Sequence, residues 1–295
     1  MRPLHLFLPL VGLALGLPRS ALALDEAQVY GIANFGSAGE CTGGKTHLRH
    51  TVTAANFLEP FQDMTVLGQW DETSTMDNLD ARGSYFTDST KATSCACTAD
   101  DQSLDTGVDE ADVIFVHTHG GHTASGNVYY SNLAMGNASY DCSVRTDNNM
   151  KFGVDGGDLE IAVVKACQSG DYDVWANQGY RQQLTESGST MSMWNAFHGN
   201  SSCTSATEAE VSAYAWSSLS DGAGDNWLDL FYDDDAGVDS DDCPTSIVMG
   251  SSSSLRSTMY TYGGFMDRID TGSKTGSTIH YIGGCDPANG IVLPN

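Results

Sequence analysis

Hydrophobic positions along this chain fall into short blocks whose period switches between strand-like and helix-like. Val29, Tyr30, Ile32 and Ala33 form the first block, which predicts a strand over residues 29–33. Leu48, Val52, Ala55, Leu58 and Gln62 recur at helical spacing, with Phe57 and Phe61 alongside, and predict a helix over 46–62. Residues 64–67 read as a short strand. Residues 71–109 are polar, acidic and rich in Ser and Thr, the pattern of a long surface loop held by Cys95 and Cys97. Two nearly continuous, β-branched runs follow at 111–116 and 159–164, and such runs suit central strands covered on both faces. Helical patterns at 208–220 and 226–232 and strand patterns at 246–249 and 278–282 complete the series. Strands alternating with helices predict an α/β fold, a three-layer sandwich with a mostly parallel central sheet. With no internal repeat and no Pro-rich linker, residues 24–295 read as a single domain.

The ends and the charge narrow the setting. Met1-Arg2, an apolar run from Leu4 to Leu17 and the segment Ala21-Leu22-Ala23 have the three parts of a signal peptide. Cleavage is expected after Ala23, giving a secreted or periplasmic product. No later segment is apolar for the roughly 20 residues a spanning helix needs, so no membrane partner is expected. The 295 residues carry 38 Asp and Glu against 13 Lys and Arg, a formal net charge of −25. So acidic a chain repels phosphate backbones, which argues against nucleic acid as a partner. Export also changes the reading of the eight cysteines, because disulfides persist in oxidising compartments. Parity adds a constraint: a free nucleophilic cysteine requires a second unpaired one.

Both central apolar runs lead into reactive residues. The first continues into His117-Thr118-His119-Gly120-Gly121-His122, the second into Lys165-Ala166-Cys167-Gln168-Ser169-Gly170. In open α/β sheets the ligand site lies beyond the carboxyl ends of the strands. His119 and Cys167 leaving neighbouring parallel strands would meet there as a dyad, with Cys167 as nucleophile and His119 as general base. Gly120 would let the backbone approach, and the N–H groups of Gly120 and Cys167 would form an oxyanion hole. Asp171 and Asp173 follow closely enough to be candidates for a pocket that takes a basic side chain.

The interval from His119 to Cys167 is about 50 residues, as between the catalytic His and Cys of caspases. A strand ending in His119-Gly120 followed by one ending in Ala166-Cys167 resembles the caspase–legumain–gingipain superfamily of cysteine peptidases. Phe152-Gly153, Gly157-Asp158-Leu159-Glu160, Cys167-Gln168 and the segment from Trp194 to Gly199 resemble an uncharacterised bacterial family, over roughly residues 110–235. Its pattern runs G-H-G, W-G-x-x-D-L-E-W, C-Q and W-x-x-F-x-G. The resemblance implies a caspase-like fold and a secreted cysteine peptidase, or an inactive relative, acting on a peptide or protein substrate with no cofactor required.

The same histidines allow other chemistry. His117, His119 and His122 have the H-x-H-x-x-H spacing that can converge on one Zn²⁺, which would make the protein a zinc-dependent hydrolase. The acidic stretch 233–244 sets Asp233, Asp235, Asp239 and Asp241 at alternate positions, a candidate calcium site, although its spacing departs from an EF-hand. A third class is a non-enzymatic, disulfide-bonded exported binding domain with Cys167 in a bridge. No dinucleotide or G-x-S-x-G motif is present.

Overall fold

A computed structural model describes residues 25–41, 46–95, 97–103, 106–154, 156–237 and 240–295. The expected signal segment, residues 1–23, lies outside them. The chain forms β1 (Asp25–Gly31), α1 (Arg49–Val66), β2 (Trp70–Asp77) and α2 (Ser89–Cys95), then β3 (Val113–His117). A small antiparallel sheet follows: β4 (Gly120–Ser125), β5 (Val128–Ala134) and β6 (Ser143–Arg145). β7 (Ile161–Lys165) leads into α3 (Tyr172–Asn177) and α4 (Tyr180–Leu184), and β8 (Met193–Phe197) into α5 (Ser205–Ser217) and α6 (Ala223–Phe231). The hairpin β9 (Asp233–Gly237) and β10 (Ser240–Asp242) precedes β11 (Pro244–Gly250), α7 (Ser253–Tyr262) and β12 (Gly276–Tyr281).

Seven strands make one sheet in the order β12-β11-β8-β7-β3-β1-β2. From β2 to β8 every pairing is parallel, while β11 runs antiparallel to both β8 and β12. The fold is therefore α/β with a mostly parallel central sheet. Period-two alternation divides the core between its faces. Val113, Phe115, Ile161 and Val163 point to one side, where they meet Phe57 and Phe61 of α1 and the apolar faces of α5 and α6. Ile114, Val116, Ala162 and Val164 point to the other, toward Leu133, Val144, Val174 and Tyr180 of the small sheet, α3 and α4. Continuous burial of β3 and β7 explains why their sequences are apolar at every position rather than at alternate ones.

Two expectations are corrected. Residues 64–66 are the last turn of α1, and the helix stops at Gly68, whose φ of +69° ends the run while its N–H donates to the Thr65 carbonyl. Residues 71–109 are not a surface loop. They begin with the edge strand β2, in register with β1, and continue through buried Ala81, Tyr85, Phe86 and Val108. The Phe86 ring packs edge-on against Tyr30 at 4.8 Å. β2 hides from periodicity because an edge strand buries few of its side chains. The start of α5 is also displaced, because Thr204 and Thr207 form a reciprocal cap that fixes the first turn.

Disulfides join Cys41–Cys142, Cys95–Cys97 and Cys243–Cys285, leaving Cys167 and Cys203 as free thiols. Among the described residues no helix is long and apolar enough to cross a membrane.

Candidate functional site

β3 and β7 lie side by side with His117 level with Lys165, so both strands deliver their following residues to the same edge of the sheet. Two residues beyond each strand stand His119 and Cys167. Thr118 joins the two exits, its N–H donating to the Lys165 carbonyl (3.4 Å) and its hydroxyl to the Ala134 carbonyl (2.7 Å). A Cβ on Gly120 would lie 2.2 Å from the Cys167 carbonyl oxygen and 3.1 Å from the Cys167 nitrogen. Only glycine allows this approach. Directly after the thiol, Gln168 adopts the left-handed region (φ +58°), a costly conformation for a side chain other than Gly or Asn. It is held there by its N–H on the Gly199 carbonyl (2.6 Å) and by the Ser131 hydroxyl on its own carbonyl (2.6 Å). Cys167 Sγ accepts a hydrogen bond from the Ser201 N–H at 3.4 Å.

These residues open onto a cavity of about 180 Å³. Its walls carry four histidines (His47, His50, His117 and His119), Thr118, Ser201 and both free thiols, Cys167 and Cys203. His50, in the first turn of α1, packs tilted against His117 with ring centroids 4.1 Å apart, and His119 lies 5.3 Å from His50 and 5.5 Å from His47. Burial lowers the His50 pKa to about 4 against the pull of its bond to Ile32, and burial pushes His117 well below the usual histidine range. Both rings are neutral at pH 7. Burial also pushes the Cys203 thiol up, opposed by the Lys165 and Arg49 charges. Lys165 itself is fully buried at the end of β7, its Nζ donating to the Ser202 carbonyl (2.9 Å) and lying over the Phe197 ring at 4.9 Å. Burial lowers its pKa, with Asp242 and the two thiols opposing.

The motif residues around the thiol turn have structural work. Trp194 Nε1 donates to the Ser169 carbonyl (3.0 Å) and the Gly170 N–H to that of Phe197 (2.9 Å), so β8 fastens the segment following Cys167. A larger cleft of about 410 Å³, lined in part by Glu160, Ser189, Ser192 and Lys274, includes neither histidine nor cysteine in its walls.

Other sequence candidates do not gather at the cavity. His122 sits on β4 with Nδ1 3.8 Å from Asp171 and is absent from the cavity wall, so His117, His119 and His122 do not form one cluster. Asp171 is fully buried and caps α3, accepting the N–H groups of Asp173 (2.9 Å) and Val174 (3.4 Å). Its other oxygen lies 3.0 Å from His198 Nδ1. Burial would raise this carboxyl, but His198 beside it outweighs that and leaves the pKa below the usual range. A carboxylate used in this way has no face toward a substrate. Asp173 is half-buried in the first turn of α3.

In the acidic stretch, Asp233 and Asp235 belong to β9, which pairs with β10, while Asp239 and the side chains of residues 234–240 lie outside the description. The Asp241 carboxylate accepts the Asp286 N–H at 2.8 Å. His47, His50, Cys203 and Lys165 are the site residues that sequence reasoning did not single out. The His47-x-x-His50 spacing at the start of a predicted helix was the one local sign of them.

No family model matches this chain, and no curated protein matches it. Among solved structures, it is similar to the crystal structure of protein GSU0716 from Geobacter sulfurreducens, with a TM-score of 0.37 and 8% identity over 70% of this chain and 88% of that one.

Proposed function

We propose that the protein is an exported, caspase-like cysteine hydrolase acting on peptide bonds, with Cys167 as nucleophile and His119 as general base. The observation that carries this reading is the shared cavity. A free thiol and an imidazole, each two residues beyond one of two adjacent parallel strands, line the same space, and Gly120 packs its backbone against the thiol residue. The parity constraint also fits, because Cys203 is the second unpaired cysteine.

In the proposed reaction His119 takes the Cys167 proton, and the thiolate adds to the substrate carbonyl carbon. The oxyanion is received by backbone N–H groups at the Gly120 and Cys167 turn. Protonated His119 then gives its proton to the leaving amine as the C–N bond breaks, and water hydrolyses the thioester. Asp171 is excluded from substrate contact by its cap, so a preference for a basic residue would rest on Asp173 and the general acidic charge.

Alkylation of the native protein with iodoacetamide, read by peptide mass spectrometry, tests the dyad. Cys167 is expected to label faster than Cys203, and His119→Ala to slow Cys167 by roughly tenfold or more because the base that takes its proton is gone. Equal labelling in His119→Ala, or Cys167 found in a disulfide, would overturn the reading.

A further inference from the structure

We infer that the cavity also holds a metal site of the zinc class, built from His47, His50 and Cys203. The ligand atoms of these three side chains all lie within 4.8 Å of one another. Tetrahedral zinc with two nitrogens and one sulfur needs ligand atoms about 3.5 Å apart, a closure within reach of side-chain rotation. Two imidazoles and a thiolate suit Zn²⁺ and match neither calcium nor magnesium, which take oxygen.

Three further observations point to a ligand rather than to a chance cluster. First, His50 Nδ1 lies 2.6 Å from the Ile32 carbonyl. A carbonyl can only accept, so Nδ1 carries the proton and Nε2 is left as the ligating nitrogen. Metal-binding histidines are oriented by this kind of bond to a backbone carbonyl. Second, His117, 2% exposed and on the wall of the same cavity, has a buried Nδ1 with no hydrogen-bond partner. A buried polar atom left without a partner is costly. Third, the ligands come from separate places that the fold draws together: the turn before α1, its first turn, and the segment between β8 and α5. His47 is anchored there by its N–H on the Ala33 carbonyl (2.8 Å).

On binding, the Cys203 thiol loses its proton to solvent and its sulfur forms the Zn–S bond, while the two histidines coordinate as neutral imidazoles. His119 and Cys167 line the same cavity. This site differs from the His117, His119 and His122 set suggested by sequence spacing. It does not depend on Cys167 being a nucleophile.

The test is titration of the full chain, stripped with chelator, with Zn²⁺ against a competing chromophoric chelator, and with Co²⁺ as a spectroscopic probe. One equivalent of Zn²⁺ is expected, and Co²⁺ should give thiolate-to-metal charge-transfer absorption in the near ultraviolet. Cys203→Ser should abolish that absorption, and both Cys203→Ser and His47→Ala should weaken Zn²⁺ binding by more than about 100-fold, since loss of a group that merely orients a ligand already costs about 10- to 100-fold. His122→Ala should leave both signals intact. Binding unchanged in Cys203→Ser, or a charge-transfer band lost in Cys167→Ser but kept in Cys203→Ser, would overturn the assignment. Far-ultraviolet circular dichroism of each variant separates a lost ligand from a lost fold. The alkylation of Cys167 in metal-free protein is read separately, so failure of the dyad and failure of the metal site are distinguishable.

Discussion

Gly120→Ala is expected to lower unfolding stability by about 2–4 kcal/mol and to suppress the alkylation of Cys167 together with it. The cost has a definite source. The new methyl would meet the Cys167 carbonyl oxygen at 2.2 Å, the Ala166 Cβ at 3.0 Å and the Cys167 nitrogen at 3.1 Å. Two of these three are backbone atoms of the turn leaving β7, which cannot rotate aside. That turn is already committed, because Gln168 beyond it sits at φ +58° and is hydrogen-bonded to Gly199 and Ser131. Relief must therefore come from separating the exits of β3 and β7, the geometry on which the dyad depends. Gly121→Ala is the matched comparison. Its nearest neighbour would be the Asn132 amide oxygen at 3.2 Å, a side chain able to shift, so a change under about 1 kcal/mol is expected. Urea denaturation and timed labelling of both variants decide the matter. Equal stability of the two would mean that the strand exits are not closely coupled.

The same local logic explains how much the sequence could reveal. β3 and β7 announce themselves because burial on both faces makes them apolar at every position, and the residues just beyond them are then candidates by proximity in the chain. His119, Gly120 and Cys167 were legible for that reason. β2 was not, since an edge strand with the sequence Trp-Asp-Glu-Thr-Ser-Thr-Met-Asp has no apolar face to display. His47, His50 and Cys203 belong to elements distant in sequence, and only the packing of α1 and of the segment after β8 onto one sheet edge makes them neighbours. Asp171 shows the converse: an acidic residue four places after the thiol invites a substrate role, but its carboxylate is fully buried, one oxygen capping α3 and the other lying beside His198. Helix caps and strand edges are set by hydrogen-bond satisfaction, and hydrophobic spacing carries no record of it.

Asp101→Asn should flatten the loss of stability that the native protein is expected to suffer above neutral pH. Asp101 is 4% exposed, and its Oδ2 is buried without a hydrogen-bond partner. Burial, reinforced by the nearby Asp109 and Asp88 charges, raises its pKa from 3.8 to about 8. Asp109, fully buried, is raised by burial to about 7 even though its carboxylate accepts the Gly153 N–H. Because the folded pKa exceeds the unfolded one, the folded chain holds more protons between these values. The stabilisation this provides is complete below the unfolded pKa and is lost as pH rises through the folded pKa. His50 acts in the opposite direction and in a different window. Its folded pKa of about 4 lies below the unfolded value of 6.5, so its contribution is lost as pH falls through that interval. Between pH 6.5 and pH 9 most of the His50 transition is avoided, but Lys91, lowered by burial to about 8, titrates there as well. The difference between native protein and Asp101→Asn is therefore what isolates the Asp101 carboxyl. Removing the Asp101 titration should recover about 2 kcal/mol at pH 9 relative to pH 6.5, from a folded pKa about 1.5 units above the lower limit. Urea midpoints of the native protein and of Asp101→Asn at the two pH values provide the reading. Parallel pH dependences in the two proteins would mean that Asp101 is ionised in the folded state throughout, with its charge compensated inside the segment that sequence alone describes as a loop.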